Sequence, residues 1–244
     1  MATDAVVKKI AKDFKVNVNS DLTIRSLLKK KMKGTANYVD ADKYAIATAK
    51  ALSKALADNL IDETLSTADY RAIVAEALPG GLKATQSTVN SYAEAAQRVL
   101  NKNAKINLKV VVPKIDSEAI ATTTAKAVKA ATYSEISGAV TQDSMSFAQN
   151  VAVKMMKDNA SFQHNVGYDI KVIRQYDDVG LHRGTKYAEQ CEWCLEREGT
   201  WSYDDALVNG VFARHPGCGC TIIYNAEKGP QLQTNWQNNE WENL

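Results

Sequence analysis

Residues 191–224 read CEWCLEREGTWSYDDALVNGVFARHPGCGCTIIY, and all four cysteines of the 244-residue chain fall inside this stretch. With His215 among them the order is C-x2-C-x20-H-x2-C-x-C. A C-x2-C turn aims two thiolates at one point, and a second pair from a later turn completes a tetrahedron around an ion. Thiolates with an imidazole suit Zn²⁺, whereas Mg²⁺ and Ca²⁺ take oxygen ligands. Pro216, Gly217 and Gly219 are the turn-forming residues that a chain looping round an ion needs. Five candidate ligands therefore compete for four positions: Cys191, Cys194, His215, Cys218 and Cys220. Cys191 and Cys194 are the firm pair, and an all-cysteine shell and a shell of three cysteines with the histidine both satisfy the pattern.

Two disulfides are the competing reading of these cysteines. The opening MATDAVVKKIAKDFKV has no apolar signal core, so the expectation is a chain not exported by the usual route, which favours metal. Four protein ligands leave no coordination position for a catalytic water, so the expected zinc is structural. Glu192, Glu196 and Glu198 beside it read as a solvated acidic face. A segment of roughly 60 residues has a marginal core of its own, and a metal would hold it together.

Outward from this stretch the period of the sequence changes. YDIKVIRQY (Tyr168–Tyr176), GTWSY (Gly199–Tyr203) and CTIIY (Cys220–Tyr224) are strand-like, with a short helix expected from Asp204 to Val208. Residues 1–164 read as helices almost throughout. Val6, Val7, Ile10 and Phe14 follow a cap at Thr3; Leu22, Ile24, Leu27, Leu28 and Met32 follow one at Ser20. A longer helix is expected from about Asp40 to Leu60. The next starts at Ser66 or Thr67 and stops near Leu78, because Pro79-Gly80-Gly81 follows. Further helices are expected over Thr85–Leu100, Ser117–Ala131 and Ser134–Asp158, with 106–112 extended and ending at Pro113.

Composition divides at the same place. Residues 1–164 carry a net charge of +7 and residues 165–244 one of −5, and all four Trp lie in the second part. The expected architecture is mainly α: a multi-helix domain over 1–164, a small α+β zinc-binding module over 165–228, and a polar tail over 229–244 with Trp236 and Trp241. An apolar fraction of 45% with 24% charged residues excludes wholesale disorder. No run approaches the ~18 apolar residues of a membrane span, so no membrane is expected as a partner.

No nucleophile–base arrangement, G-x-S-x-G, HExxH or P-loop occurs, so no catalytic residue and no enzyme is expected. His164 and the pair His182-Arg183 read as ordinary positions. The run Lys29-Lys30-Lys31-Met32-Lys33, with Lys8, Lys9, Lys12 and Lys15 upstream, is the most basic patch. It reads as a solvated helix face before a DNA-binding one, since no aromatics interleave. A zinc-stabilised nucleic-acid-binding protein is the alternative function, although the cysteine-bearing part has the wrong sign for a DNA reader.

The order C-x2-C, a Gly with an aromatic strand, then HPGCGC leading into a β-branched strand resembles the C-terminal motif of bacteriophage minor head proteins of the Mu F type. In that family the motif typically ends H-P-x-C-x-C, matched by His215, Pro216, Cys218 and Cys220, and YDIKVIRQY looks like the strand ahead of the first cysteine pair. The resemblance covers roughly 168–224, about a quarter of the chain, and Gly219 stands where a basic residue is often found. It implies a virion structural protein of the phage head, near the portal vertex, added during head morphogenesis in the bacterial host cytoplasm. The implied partners are the portal or major capsid protein of the same phage. A protein so placed can also touch packaged DNA without sequence preference.

Overall fold

Among the described residues up to 165 there are six helices, and their apolar faces meet in one bundle. They are α1 (Ala2–Ser20), α2 (Leu22–Met32), α3 (Tyr38–Leu60), α4 (Thr67–Asn103), α5 (Ser117–Val128) and α6 (Tyr133–Asn165). The computed structural model describes residues 2–60, 65–129, 133–176, 191–215 and 217–228. The polar tail 229–244, Pro216 and the His182-Arg183 pair lie outside the described residues.

At the centre, α3 presents alanines: Ala41, Ala45, Ala49 and Ala55 are fully buried, with Leu52 and Leu56 between them. Small side chains at helical spacing let neighbouring helices approach closely, and the leucines fill the gaps. Tyr44 of α3 stacks on Tyr92 of α4 with centroids 4.7 Å apart. The Tyr92 hydroxyl donates to the Leu27 carbonyl at 3.0 Å, which ties α2 to the same core.

The expected stop near Leu78 is overturned: α4 runs through Pro79-Gly80-Gly81 without ending. Its start is the expected one. Ser66 accepts from the Asp69 amide while the Asp69 carboxylate accepts from the Ser66 amide, a reciprocal capping box. Proline costs an interior helix about 3 kcal/mol, and burial on both sides of it offsets that. Ile73, Val74, Ala77 and Leu78 before the proline, and Leu82, Val89, Ala93 and Ala96 after it, are buried in one unbroken helical phase. Gly81 has its own reason to be glycine, because a Cβ there would overlap the buried Leu52 side chain of α3. Two separate helices before and after the proline are therefore one.

Smaller expectations also shift. α1 already includes Thr3, and α2 is capped by Asp21, whose carboxylate accepts from the Ile24 amide at 2.8 Å, rather than by Ser20. Leu22 and Met32 are exposed. α6 continues past Asp158 to Asn165. Residues 106–112, expected to be extended, join no sheet among the described residues, and amide side chains of α4 and α6 bond part of their backbone. Asn159 of α6 both donates to and accepts from the Val111 backbone, at 2.7 and 2.8 Å, and Asn101 of α4 donates to the Leu108 carbonyl at 3.2 Å.

After α6 the chain forms β1 (Tyr168–Gln175), α7 (Glu192–Leu195), β2 (Gly199–Ser202), α8 (Tyr203–Val208) and β3 (Thr221–Lys228). The strands make an antiparallel sheet in the order β2-β1-β3, with β1 central. Ile170, Val172 and Arg174 of β1 and Ile222, Tyr224 and Ala226 of β3 point inward at period two and are buried. That face packs on α3 and α6, so the sheet and the bundle share one continuous core.

A buried polar network fastens the two together. Tyr224 of β3 donates to Gln163 at 3.0 Å and accepts from Gln97 at 2.7 Å. Gln97 also accepts from Tyr38 and, with Gln163, donates to Asn101. Every member is hydrogen-bonded, which is the condition under which a buried network specifies one arrangement.

Candidate metal centre

Cys191 is the N-cap of α7, and the first turn of that helix brings Cys194 back beside it: the Cys194 amide donates to the Cys191 carbonyl at 2.9 Å. The other candidate ligands, His215, Cys218 and Cys220, come from the stretch just ahead of β3. The Cys218 amide donates to the His215 carbonyl at 3.1 Å, and Gly217 has φ +77°, a left-handed conformation that a side chain would strain. The spacing of the motif thus becomes two tight turns that face each other.

They meet sulfur to nitrogen and sulfur to sulfur. His215 Nε2 lies 3.3 Å from Cys191 Sγ and 3.0 Å from Cys194 Sγ, and Cys194 Sγ lies 3.9 Å from Cys218 Sγ. Donor atoms of Cys191, Cys194 and His215 lie within 4.8 Å of one another, as do those of Cys194, Cys218 and Cys220, and Cys194 belongs to both groups. All four cysteines are free thiols. Cys194, Cys218 and Cys220 are fully buried, while Cys191 and His215 are half-buried at the rim, where Trp193 meets the imidazole edge-on at 5.6 Å. The five residues form a cluster that can hold a metal ion, and free sulfurs with an imidazole are the donors that soft and borderline cations take.

A buried cation stands against the sulfurs, while burial and crowding of the thiols oppose their ionisation. Arg174, at the end of the central strand, is 0% exposed. Its Nη1 donates to the Val211 and Ala213 carbonyls, both at 2.7 Å, and its Nη2 points at Cys194 Sγ (3.6 Å) and Cys218 Sγ (3.5 Å). Burial works against the charge of Arg174, but Cys220 and Cys218 outweigh it and hold the guanidinium pKa above its usual value. As thiols, Cys194 is pushed up by burial and then by Cys218, and Cys218 by its hydrogen bond with Cys220 and then by burial. Cys220 is held down, first by the Cys218 hydrogen bond, with Arg174 helping against burial. A bound cation deprotonates such thiols outright.

A second set of contacts fixes the cluster to the helices. The Cys218 carbonyl accepts from Gln149 of α6 at 3.3 Å and from Arg214 at 3.4 Å. Arg214 in turn pairs with Asp42 of α3 at 3.1 Å, and Gln149 also donates to both Asp42 oxygens. Burial pushes the Asp42 carboxyl above the usual range, with Arg214 and then Gln149 pulling it back.

The structure brings together all five motif residues, although Arg174, Arg214, Asp42 and Gln149 are absent from the sequence reading. Arg174 had a signal, since it is in phase with Ile170 and Val172 on an alternating strand. The other three had none, because their meeting depends on how helices α3 and α6 pack. Glu192, Glu196 and Glu198 are exposed, in keeping with a solvated face. His164 contacts Asp204 at 3.5 Å and the Tyr203 ring. In the basic run, Lys30 pairs with Asp40 and Lys31 donates to Ser91.

Fold and site together define a mainly helical protein whose small antiparallel sheet carries a Cys/His cluster. Compared with family models, with curated proteins and with solved structures, the chain matches none. No described helix is long and apolar enough to cross a membrane.

Proposed function

We propose that the chain is a structural protein of a phage head, a minor head protein at the portal vertex, whose Cys/His cluster binds one structural Zn²⁺. The observation that carries this reading is the convergence of Cys191, Cys194, His215, Cys218 and Cys220 into one cluster with three buried sulfurs and a half-buried rim. These are the residues in which the sequence resembles the Mu F type minor head proteins. More than four donors stand ready, enough to fill a tetrahedral shell with protein atoms, which is the arrangement of structural rather than catalytic zinc.

Bound zinc supplies cross-linking charge and geometry and no turnover. The chain's own residues do the rest. Cys191 and Cys194 bring α7 to the site; Cys218 and Cys220 bring the start of β3; Gln149, Arg214 and Asp42 hold the second turn against α3 and α6. The sheet is thereby locked to the bundle, and the bundle presents the long helical faces through which the portal or major capsid protein would be met. Zinc content and mass spectrometry of phage particles from cells that encode the chain test this directly. The chain is expected in heads or proheads, with one zinc per copy; absence from both contradicts the virion assignment.

A further inference from the structure

Among the described residues Arg174 is one of the largest fully buried side chains, and a buried cation needs an anion close by. Arg214, its counterpart in the same region, has one in Asp42. Among the described residues no carboxylate pairs with Arg174. Its Nη1 is used up on the Val211 and Ala213 carbonyls, its Nε has no hydrogen-bond partner, and its Nη2 is aimed at the sulfurs of Cys194 and Cys218. Trp193, on the C-x2-C helix, lies 5.1 Å from the guanidinium carbon and adds ring contact without charge.

The geometry points to Arg174 as the internal counter-ion of the metal–thiolate centre, a positioning residue that sets how tightly the site holds its metal. The inference rests on the zinc reading above and deepens it. Neutral thiols would leave Arg174 buried without an anion, and so would two disulfides, since neither carries charge. Thiolates around a divalent cation supply it: three thiolates with an imidazole leave the centre one negative charge, and four leave it two. The guanidinium cancels one of these. Its hydrogen bonds to two sulfurs also draw electron density from them, as outer-shell donors do at other metal centres.

The placement explains a feature of the sheet. β1 alternates in and out, and the inward positions run Ile170, Val172, Arg174. An arginine in the apolar register of a central strand is a misfit unless its end of the strand faces a charged site. Arg174 stands opposite Ile222 of β3, two residues from Cys220, so the inward row ends at the cluster. The two carbonyls that hold Nη1 belong to the segment just before His215, so one side chain touches both turns of the centre.

The test compares full-length wild type with Arg174→Gln and Arg174→Lys. Zinc affinity is read by competition with a chromophoric chelator, and the cobalt-loaded proteins are read by the sulfur-to-cobalt charge-transfer band. Arg174→Gln is expected to lose about 10–100-fold in zinc affinity, the range for loss of an outer-shell partner. Its band should move to longer wavelength, because the thiolates lose their hydrogen-bond donor. Arg174→Lys should recover most of the affinity, since it keeps the charge. An Arg174→Gln protein with wild-type affinity and an unmoved band overturns the proposal. Should that variant not fold, Arg174→Lys answers alone: an ammonium cannot reach two sulfurs and two carbonyls together, so its band must move, and an unmoved band overturns the proposal as well. Wild type that binds no zinc contradicts the zinc reading itself. Zinc-binding wild type with an undiminished Arg174→Gln contradicts only the role of Arg174.

Discussion

In the helical bundle most of the fully buried side chains are apolar, Ala41, Ala45, Ala49, Ala55, Leu78 and Leu82 among them, beside a few hydrogen-bonded polar ones such as Gln97; behind the sheet the fully buried side chains include Arg174, Cys194, Cys218 and Cys220. The apolar side chains of the first set are held by burial, at roughly 25 cal/mol per Å² removed from water. The second set contains a cation and three sulfurs, groups that gain little from burial for its own sake. The sheet has one eight-residue central strand between an eight-residue and a four-residue neighbour. Three short strands need a packed face for stability. This face finds it partly on α3 and α6 and partly around the cluster. The bundle should therefore be insensitive to chelators and sensitive to volume, and the metal-bearing end the reverse.

The largest effect expected is that of Cys194→Ser, which removes the residue common to both donor groups. Zinc binding should fall below detection, with loss of hydrogen-exchange protection in 191–228 well before that of α3 and α4. Simultaneous loss along the whole chain would show that the shared core makes the two regions one cooperative unit. Asp42→Ala comes next, because it leaves Arg214 buried without its carboxylate. It should cost about 3–5 kcal/mol in denaturant unfolding and loosen the Cys218 turn. Asp42→Asn should cost less. A change below ~1 kcal/mol would mean the contact between α3 and the turn is not what fixes the site.

Gly81→Ala belongs to the bundle and should destabilise it by about 1–3 kcal/mol through overlap with Leu52, leaving zinc affinity unchanged. Smallest is Ser66→Ala at the start of α4, about 1 kcal/mol. The Ser66 contacts hold the Asp69 carboxyl below its usual value. The capping box therefore stabilises the fold above the ordinary Asp range, and that contribution is lost as pH falls through the depressed pKa. Ser66→Ala should erase this acid-dependent part, as read by thermal melts from neutral to acid pH.

The same contrast explains what the sequence made legible. Helix α3, the strand β1 and the five-residue cluster are local patterns, of period 3.6, period two or ligand spacing, and they fall close to where the spacing puts them, as do the bodies of α1 and α5 though not their ends. Pro79-Gly80-Gly81 reads locally as a stop, but the burial phase from Tyr70 to Gln97 crosses it unbroken, and tertiary packing overrides the propensity. The stretch 106–112 has strand-like residues but joins no sheet among the described residues; Asn101 and Asn159 side chains bond its backbone at Leu108 and Val111 instead. The clasp of Asp42, Gln149 and Arg214 joins residues more than 100 positions apart, for which no short-range pattern exists.

The most direct measurement is native mass spectrometry of the purified protein, before and after chelation, with hydrogen exchange on both samples. One zinc per chain is predicted, lost to the chelator together with protection of β1 and of residues 191–228. A zinc-free chain lighter by four hydrogens would mean that the four cysteines are paired as two disulfides, and would contradict the account at its centre.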